Sequence, residues 1–566
     1  MRRLLKRLGA ACAPLGLALP LWAGTAPAAD PTERHLSLGA VAGRNDAARQ
    51  GTWAWLGLPF AQPPLGERRW RAPADPLPWA GVRPAQDFGP ACASTGTLAG
   101  PGLNNRYDDT VATSLGRTVG SEDCLYLNVW RPATPAEKLP VIVYVHGGSN
   151  RTGYTADPML DGATLARTAQ AVVVTVNYRL GVLGFFRAPQ LRGDDPAEAS
   201  GNFALLDIIQ ALRFVQREIA AFGGDPAQVT LMGESAGAVN VLALLTSPLL
   251  RQARPALFHR LAALSGGISR AQDLPAGAIP VLLDAAVFEE QAALLLRELG
   301  GDEKAAPADT AAFLRRQSAD ALLSRVAGKL AAMNRGHSGP IPDGLVVSRD
   351  PIGAIRAGEY VQVPVLAGNT RDESRLFAGL LALSPALGGV SGRLVSDAEL
   401  FAIARDYDPD APPQARLAQW IPVAYLPVKA PGTGYAARTR LLDDYWFHPL
   451  RDSVLGALRS RQAQVWHYRF DWDEAPPPFN DVFGAAHAFD LYFVFGNFGP
   501  SVLSRLLFNK ANAPGRLALS ERMMRTMGTF ARTGDPNDPV LGVAWPAWPR
   551  SLVFDASATD LQISVH

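Results

Sequence analysis

An apolar run, Val229-Thr230-Leu231-Met232, passes without a spacer into Gly233-Glu234-Ser235-Ala236-Gly237 and then into the helical pattern Ala238–Leu245. A chain goes from strand to helix over so few residues only through a sharp turn, with the helix folded back beside the sheet. Glycines on both sides of the bend keep side chains out of the crowded space and let backbones approach closely. The Ser235 hydroxyl then stands proud of the sheet at a helix N-terminus, where backbone N–H groups favour developing negative charge. A five-residue pattern with three fixed positions recurs by chance, but the strand before it and the helix after it mark a nucleophile rather than a surface turn. The remaining sequence must then supply a base, an acid and donors for an oxyanion.

The wider pattern is α/β. Leu139–Val145 reads as a buried strand running into His146-Gly147-Gly148-Ser149, and Ala171–Asn177 as the next strand. Asn202–Ala221 has the period of an amphipathic helix, and Leu261–Leu264, Val363–Ala367 and Val465–Phe470 read as later strands. Strands alternating with helices imply a mostly parallel sheet covered on both faces. Helix-rich stretches (Val281–Leu299, Asp309–Ala332, Asp397–Leu426) fall in insertions at about 270–340 and 375–460, and are expected to cap the strand ends. Glu474–Pro478 reads as a loop. Ligands of such sheets bind beyond the carboxyl ends of the strands.

The first 28 residues stand apart. Arg2, Arg3, Lys6 and Arg7 precede an apolar stretch, Leu8–Gly24, that is short and broken by proline, and Ala26-Pro27-Ala28 offers a small-residue cleavage site. This is the pattern of a secretory signal peptide, so residues 29–566 are expected to form one exported catalytic domain, periplasmic or secreted. Removing those four charges turns the formal +2 into −2, a balance that gives no support for nucleic-acid or polybasic membrane binding. Of three cysteines, Cys12 leaves with the signal. Cys92 and Cys124 then form the simplest pair, a disulfide contributing on the order of 3 kcal/mol through unfolded-state entropy.

The acid and base follow from position. In sheets of this kind the chain order is nucleophile, acid, histidine. His35 and His146 precede Ser235, and His259 follows it too soon for an acid strand to intervene. Val363–Ala367 delivers Gly368-Asn369-Thr370-Arg371-Asp372-Glu373 to the sheet edge, making Glu373 the best acid, with Asp372 its rival. His337 precedes that acid, and His467 lies within an alternating strand, as a core histidine would. His448 and His566 lack a glycine-punctuated loop. His487, in Gly484-Ala485-Ala486-His487, has one.

Several motifs in order resemble the type-B carboxylesterases, the esterase/lipase/cholinesterase branch of the α/β-hydrolases. They are Gly57–Gly66, Arg69–Pro73, Trp79–Val82, Ser121–Val129, Asn177–Phe185, Gly201–Asp207, Phe222–Pro226, the Ser235 turn, Phe530–Asn537 and Trp545-Pro546. The resemblance implies an α/β-hydrolase fold, with Ser235 as nucleophile, Glu373 as acid and His487 as base. It also implies an oxyanion hole from the N–H groups of Gly148, Ser149 and Ala236. Ser374 stands where relatives carry glycine, as does Ser149, whose Cβ narrows the acyl side. Asn150-Arg151 replaces a usual aromatic, and both are candidate substrate contacts. For Arg151 a surface or ion-pairing role competes with recognition of a substrate carboxylate. The resemblance further implies ion pairs Glu122–Arg69 and Asp225–Arg179. It makes Glu234 a buried, paired support and Ser265 either a hydroxyl near the triad or a plain turn serine.

The implied activity is hydrolysis of small-molecule carboxylic esters through an acyl-enzyme, with no metal and no cofactor. The Cys92–Cys124 segment holds no Trp or Phe and only one aromatic, Tyr107, which argues against choline esters. Interfacial lipase, amide or carbamate hydrolysis by the same triad, and a non-catalytic adhesion-type module are the alternative readings.

Overall fold

A computed structural model describes residues 30–566 apart from Pro412 and Val502. The expected signal segment, residues 1–28, lies outside the described residues.

Eleven strands form the main sheet. In chain order they are Arg44–Asp46 (β1), Thr52–Pro59 (β2), Tyr126–Pro132 (β3), Leu139–Val145 (β4), Val172–Val176 (β5), Gly224–Glu234 (β6), Arg260–Leu264 (β7), Val365–Thr370 (β8), Val465–Phe470 (β9), Leu552–Phe554 (β10) and Ser564–Val565 (β11). Their spatial order is β1-β2-β3-β5-β4-β6-β7-β8-β9-β10-β11. The strands from β5 across to β10 run parallel, with antiparallel pairs at both margins.

The central strands β4 and β5 are rich in β-branched residues and buried along their whole length, as strands covered on both faces must be. Successive side chains therefore enter opposite cores. Val141, Val143 and Val145 of β4 join one cluster, with Val172, Val174, Leu231 and Leu261. Ile142 and Tyr144 join the other, with Val173, Met232, Ala262 and Leu366. Phe203–Glu218 (α1) packs its apolar stripe into the first cluster, and Ala236–Leu245 (α2), the helix after the Ser235 turn, is buried on every side.

The insertions are more broken than the sequence pattern suggests. Val281–Leu299 contains one helix, Ala285–Glu298 (α3), but Asp309–Ala332 divides into Pro307–Arg316 (α4) and Ala319–Arg325 (α5). The break comes where Ser318 caps the second helix by accepting from the Ala321 N–H at 3.0 Å. Asp397–Leu426 is helical only over Asp397–Asp406 (α6), followed by short 3-10 turns at Leu417–Gln419 and Val423–Tyr425. Pro413 and Pro422 interrupt any longer helix there, since proline has no N–H to donate. Tyr435–Tyr445 (α7) and Phe447–Arg459 (α8) complete that region, and Ala513–Thr533 (α9) packs near the end of the chain.

The carboxyl ends of four neighbouring parallel strands deliver the candidate residues. Gly147–Ser149 follows β4, Ser235 follows β6, Ser265 follows β7 and Glu373 follows β8.

Candidate active site

Ser235 sits at φ 53° and ψ −123°, a strained backbone position for a residue with a Cβ. The flanking glycines explain how the turn closes. A Cβ on Gly237 would lie 2.1 Å from the Val145 carbonyl oxygen, and one on Gly233 would lie 2.4 Å from that of Gly237. Gly147 is equally confined, since a Cβ there would lie 3.0 Å from Ser235 Cβ. The turn is thus pressed against the end of β4, and the Ser235 N–H donates to the Leu264 carbonyl at 2.8 Å to tie it to β7.

Glu373 is fully buried with both carboxylate oxygens hydrogen-bonded. Oε1 accepts from Ser265 Oγ at 2.7 Å, Asn369 Nδ2 at 2.9 Å and the Thr370 N–H at 3.0 Å. Oε2 accepts from His487 Nδ1 at 2.6 Å. Burial pushes the carboxyl up, but the His487 charge and these hydrogen bonds outweigh it and hold it below the ordinary value. Asp372, the neighbouring acid, faces elsewhere and pairs with Arg371 at 2.8 Å and Arg375 at 3.1 Å. Ser374 has acquired a partner of its own: its N–H and Oγ both donate to the buried Asp443.

The other side of the imidazole meets a second glutamate. His487 Nε2 lies 3.1 Å from Glu234 Oε1, and it makes no hydrogen bond to Ser235 Oγ among the described residues. Burial pushes Glu234 up strongly, with Asp490 and Glu373 adding to the rise and His487 opposing it. Burial alone would lower His487, but the charges of Glu234 and Glu373 overcome it and raise its pKa. Asp490 is pushed up to about 6 by burial, and its Oδ2 accepts from Tyr468 at 2.6 Å. Phe377 and Phe447 flank the imidazole at ring-centroid distances of 5.0 and 5.2 Å.

Gly148, Ser149 and Asn150 all have positive φ, at 98°, 56° and 56°. This turn leaves the N–H groups of Gly148 and Ser149 without acceptors among the described residues, while the Gly148 carbonyl accepts from Arg151 and Thr152. Ala236 opens α2, so its N–H has no partner within the helix. The three expected oxyanion donors are therefore available. Asn150, a candidate substrate contact, is held against helix α2. Its buried amide is engaged with Asn240 of α2 in both directions, at 2.8 and 3.3 Å, which anchors the turn to the helix behind Ser235. Arg151 forms no ion pair among the described residues, but donates from Nη2 to the Gly336 carbonyl.

A cavity of about 480 Å³ opens over these groups, lined by Gly148, Ser149, Arg151, His487 and mostly apolar neighbours such as Leu376 and Phe489. A groove twice as large, about 1000 Å³, lies elsewhere and contains neither His487 nor the oxyanion turn, so size alone does not locate the chemistry. The Cys92 and Cys124 sulfurs are bonded, closing the segment that brings Thr97, Leu98 and Tyr107 to the smaller cavity. His467 is a core histidine, with Nδ1 2.7 Å from Ser551 Oγ. Arg69 and Glu122 form a two-pronged pair, its Nε–Oε2 contact at 2.7 Å.

The expected Asp225–Arg179 pair does not form. Asp225 caps a turn at the amino end of β6, accepting from Ala227 and Gln228. Arg179 follows the carboxyl end of β5, at the opposite edge of the sheet, and binds Asp207 of α1 at 2.7 and 2.8 Å. The Asn177–Phe185 and Gly201–Asp207 motifs meet through that pair.

Comparison with known proteins gives the family. A sequence model described as the carboxylesterase family matches residues 30–559. The chain belongs to that family. Among curated relatives, it is 32% identical to the para-nitrobenzyl esterase of Bacillus subtilis (strain 168) over 518 residues, covering 90% of this chain and 92% of that protein. It is 33% identical over 526 residues to the fumonisin B1 esterase of Sphingopyxis macrogoltabida, covering 91% and 84%. Among solved structures, a thermophilic para-nitrobenzyl esterase superposes with a TM-score of 0.70 at 30% identity, covering 94% of this chain and 97% of its own. The fold is that of an α/β-hydrolase, and the protein is a carboxylic-ester hydrolase. No helix among the described residues is long and apolar enough to cross a membrane.

Proposed function

We propose that the protein is exported and hydrolyses small-molecule carboxylic esters by a Ser235–His487–Glu373 mechanism. The supporting observation is the 2.6 Å hydrogen bond from His487 Nδ1 to a Glu373 that is buried and held ionised by further donors. It fixes the Nδ1–H tautomer, leaving Nε2 as the base. His487 takes the Ser235 proton as Oγ attacks the ester carbonyl, and returns it to the leaving alcohol. Water then repeats the cycle on the acyl-enzyme. The N–H groups of Gly148, Ser149 and Ala236 receive the oxyanion, each such donor contributing about 3 kcal/mol in the transition state. The Cys92–Cys124 disulfide suits the oxidising compartment that export through residues 1–28 would reach.

Turnover of p-nitrophenyl acetate, butyrate and a long-chain ester by protein lacking residues 1–28 tests the mechanism. Activity is expected to fade with chain length and to fall by about 10⁶-fold in Ser235→Ala. Highest activity on the long-chain emulsion would indicate an interfacial lipase, and turnover that survives Ser235→Ala would overturn the serine mechanism. For export, the full chain should yield a mature N-terminus near Ala28; an intact Met1 on the purified protein would refute it.

A further inference from the structure

Arg151 lines the cavity together with Ser149 and His487, two residues beyond an expected oxyanion donor. Two other arginines line the same cavity, and both are neutralised: Arg375 pairs with Asp372 at 3.1 Å and Arg393 with Asp397 at 2.7 Å. Arg151 has no such partner. Its side chain remains accessible to solvent, yet surrounding protein desolvates it enough to pull its pKa down, with no acid to offset the effect. His337 nearby adds no competing positive charge, its pKa being lowered by burial and then by Arg151 and Arg335. Besides Asp397, the acid on the cavity wall is Asp157, which burial pushes up to about 6.

The hydrogen bond to the Gly336 carbonyl occupies one of the five N–H groups of Arg151, and a neutral amide could make it as well. A solvent-accessible guanidinium with no carboxylate beside it among the described residues is free to pair with an incoming anion. The planar guanidinium offers two parallel N–H groups matched to a carboxylate. We infer that Arg151 is a specificity-determining residue that receives a free carboxylate of the substrate, so that esters bearing an acid group a few bonds from the scissile carbonyl are preferred. The inference rests on the serine-esterase reading and names the substrate class for that site.

Two matched pairs of esters test it, each opposing a carboxylate to an isopropyl group of the same shape. Ethyl hydrogen succinate against ethyl 4-methylpentanoate places the acid on the acyl side. The acetate ester of 3-hydroxypropanoic acid against 3-methylbutyl acetate places it on the alcohol side. In at least one pair the wild-type protein should favour the acid by about tenfold or more in kcat/KM, mainly through KM and less so at high salt. Arg151→Gln should reduce that ratio by about tenfold to a hundredfold, and Arg151→Lys should restore part of it. Because Arg151→Gln also disturbs the Gly336 contact, the ratio rather than the absolute rate is decisive. No acid preference in either pair, or a ratio indifferent to Arg151→Gln, overturns the inference. Failure of the serine reading would show separately, as Ser235→Ala retaining turnover of the neutral esters.

Discussion

Two turns, one after β6 and one after β8, each bring a buried glutamate to the same imidazole, and the two carboxylates are treated differently. Glu373 has three donors besides His487, and together with the His487 charge they hold its carboxyl below the ordinary value despite complete burial. Glu234 is as deeply buried, but its Oε1 has only the imidazole beside it, and its pKa is driven up. Burial by itself does not decide whether a carboxylate ionises; the charges and donors beside it weigh against burial. The loop Gly368–Glu373 supplies two of those donors locally, through Asn369 and the Thr370 N–H, whereas Glu234 Oε1 has no hydrogen-bond donor among the described residues.

The largest test of this contrast is Glu373→Gln. The amide offers an N–H where the imidazole needs an acceptor, so kcat should fall on the order of 10⁴-fold with KM little affected, read by steady-state kinetics. A loss of tenfold or less would remove Glu373 from its orienting role. The contrast extends to Asp207, buried against Arg179, and Asp225, which serves only a turn. Asp207→Ala should cost about 3–5 kcal/mol in denaturant unfolding, because it strands the arginine, and Asp225→Ala about 0.5–1 kcal/mol. Equal costs would contradict the reassigned pair.

Glu234→Gln should be mild, reducing plateau kcat by about tenfold at most. Its signature is pH dependence. Where Glu234 is ionised its charge favours the imidazolium, so without it the His487 pKa falls and the acid limb of kcat/KM should move to lower pH. Stability should change as well. A carboxyl whose folded pKa lies above its unfolded 4.5 costs stability progressively as pH rises from that value through the raised one. Glu234→Gln should therefore melt higher than wild type on the alkaline side and gain little near pH 4; the opposite order would mean Glu234 is a paired anion. Smallest of all, Ser265→Ala removes one of four hydrogen bonds to Glu373 and should lower kcat by about threefold to tenfold.

What was legible in the sequence was what is local. Leu139–Val145 and Val465–Phe470 announce their strands by unbroken or alternating β-branched and aromatic residues, and the strand ends match the structure. The Ser235 turn is readable because its glycines are obligatory neighbours of the serine. Chain order and loop context separated His487 from the other histidines and picked out the loop that holds Glu373, while the choice over Asp372 came from the family resemblance. Contacts between distant segments were not legible. Nothing in Asn150 points to Asn240, ninety positions on, and nothing in Ser374 points to Asp443. Arg179 could have met any acid that the fold brought near; its partner depends on which end of a parallel strand each residue occupies. The proline-broken stretch after Asp406 was misjudged because apolar residues that bury under 3-10 turns imitate a helical stripe.

The most direct measurement is a downfield proton NMR spectrum of wild type, Glu373→Gln and Glu234→Gln in the same buffer. The Nδ1–H shared between His487 and Glu373 should give a far-downfield resonance in wild type. The account predicts that this resonance disappears in Glu373→Gln and persists, shifted, in Glu234→Gln. Its survival in Glu373→Gln, or its loss only in Glu234→Gln, would contradict the assignment of Glu373 as the residue that orients the imidazole.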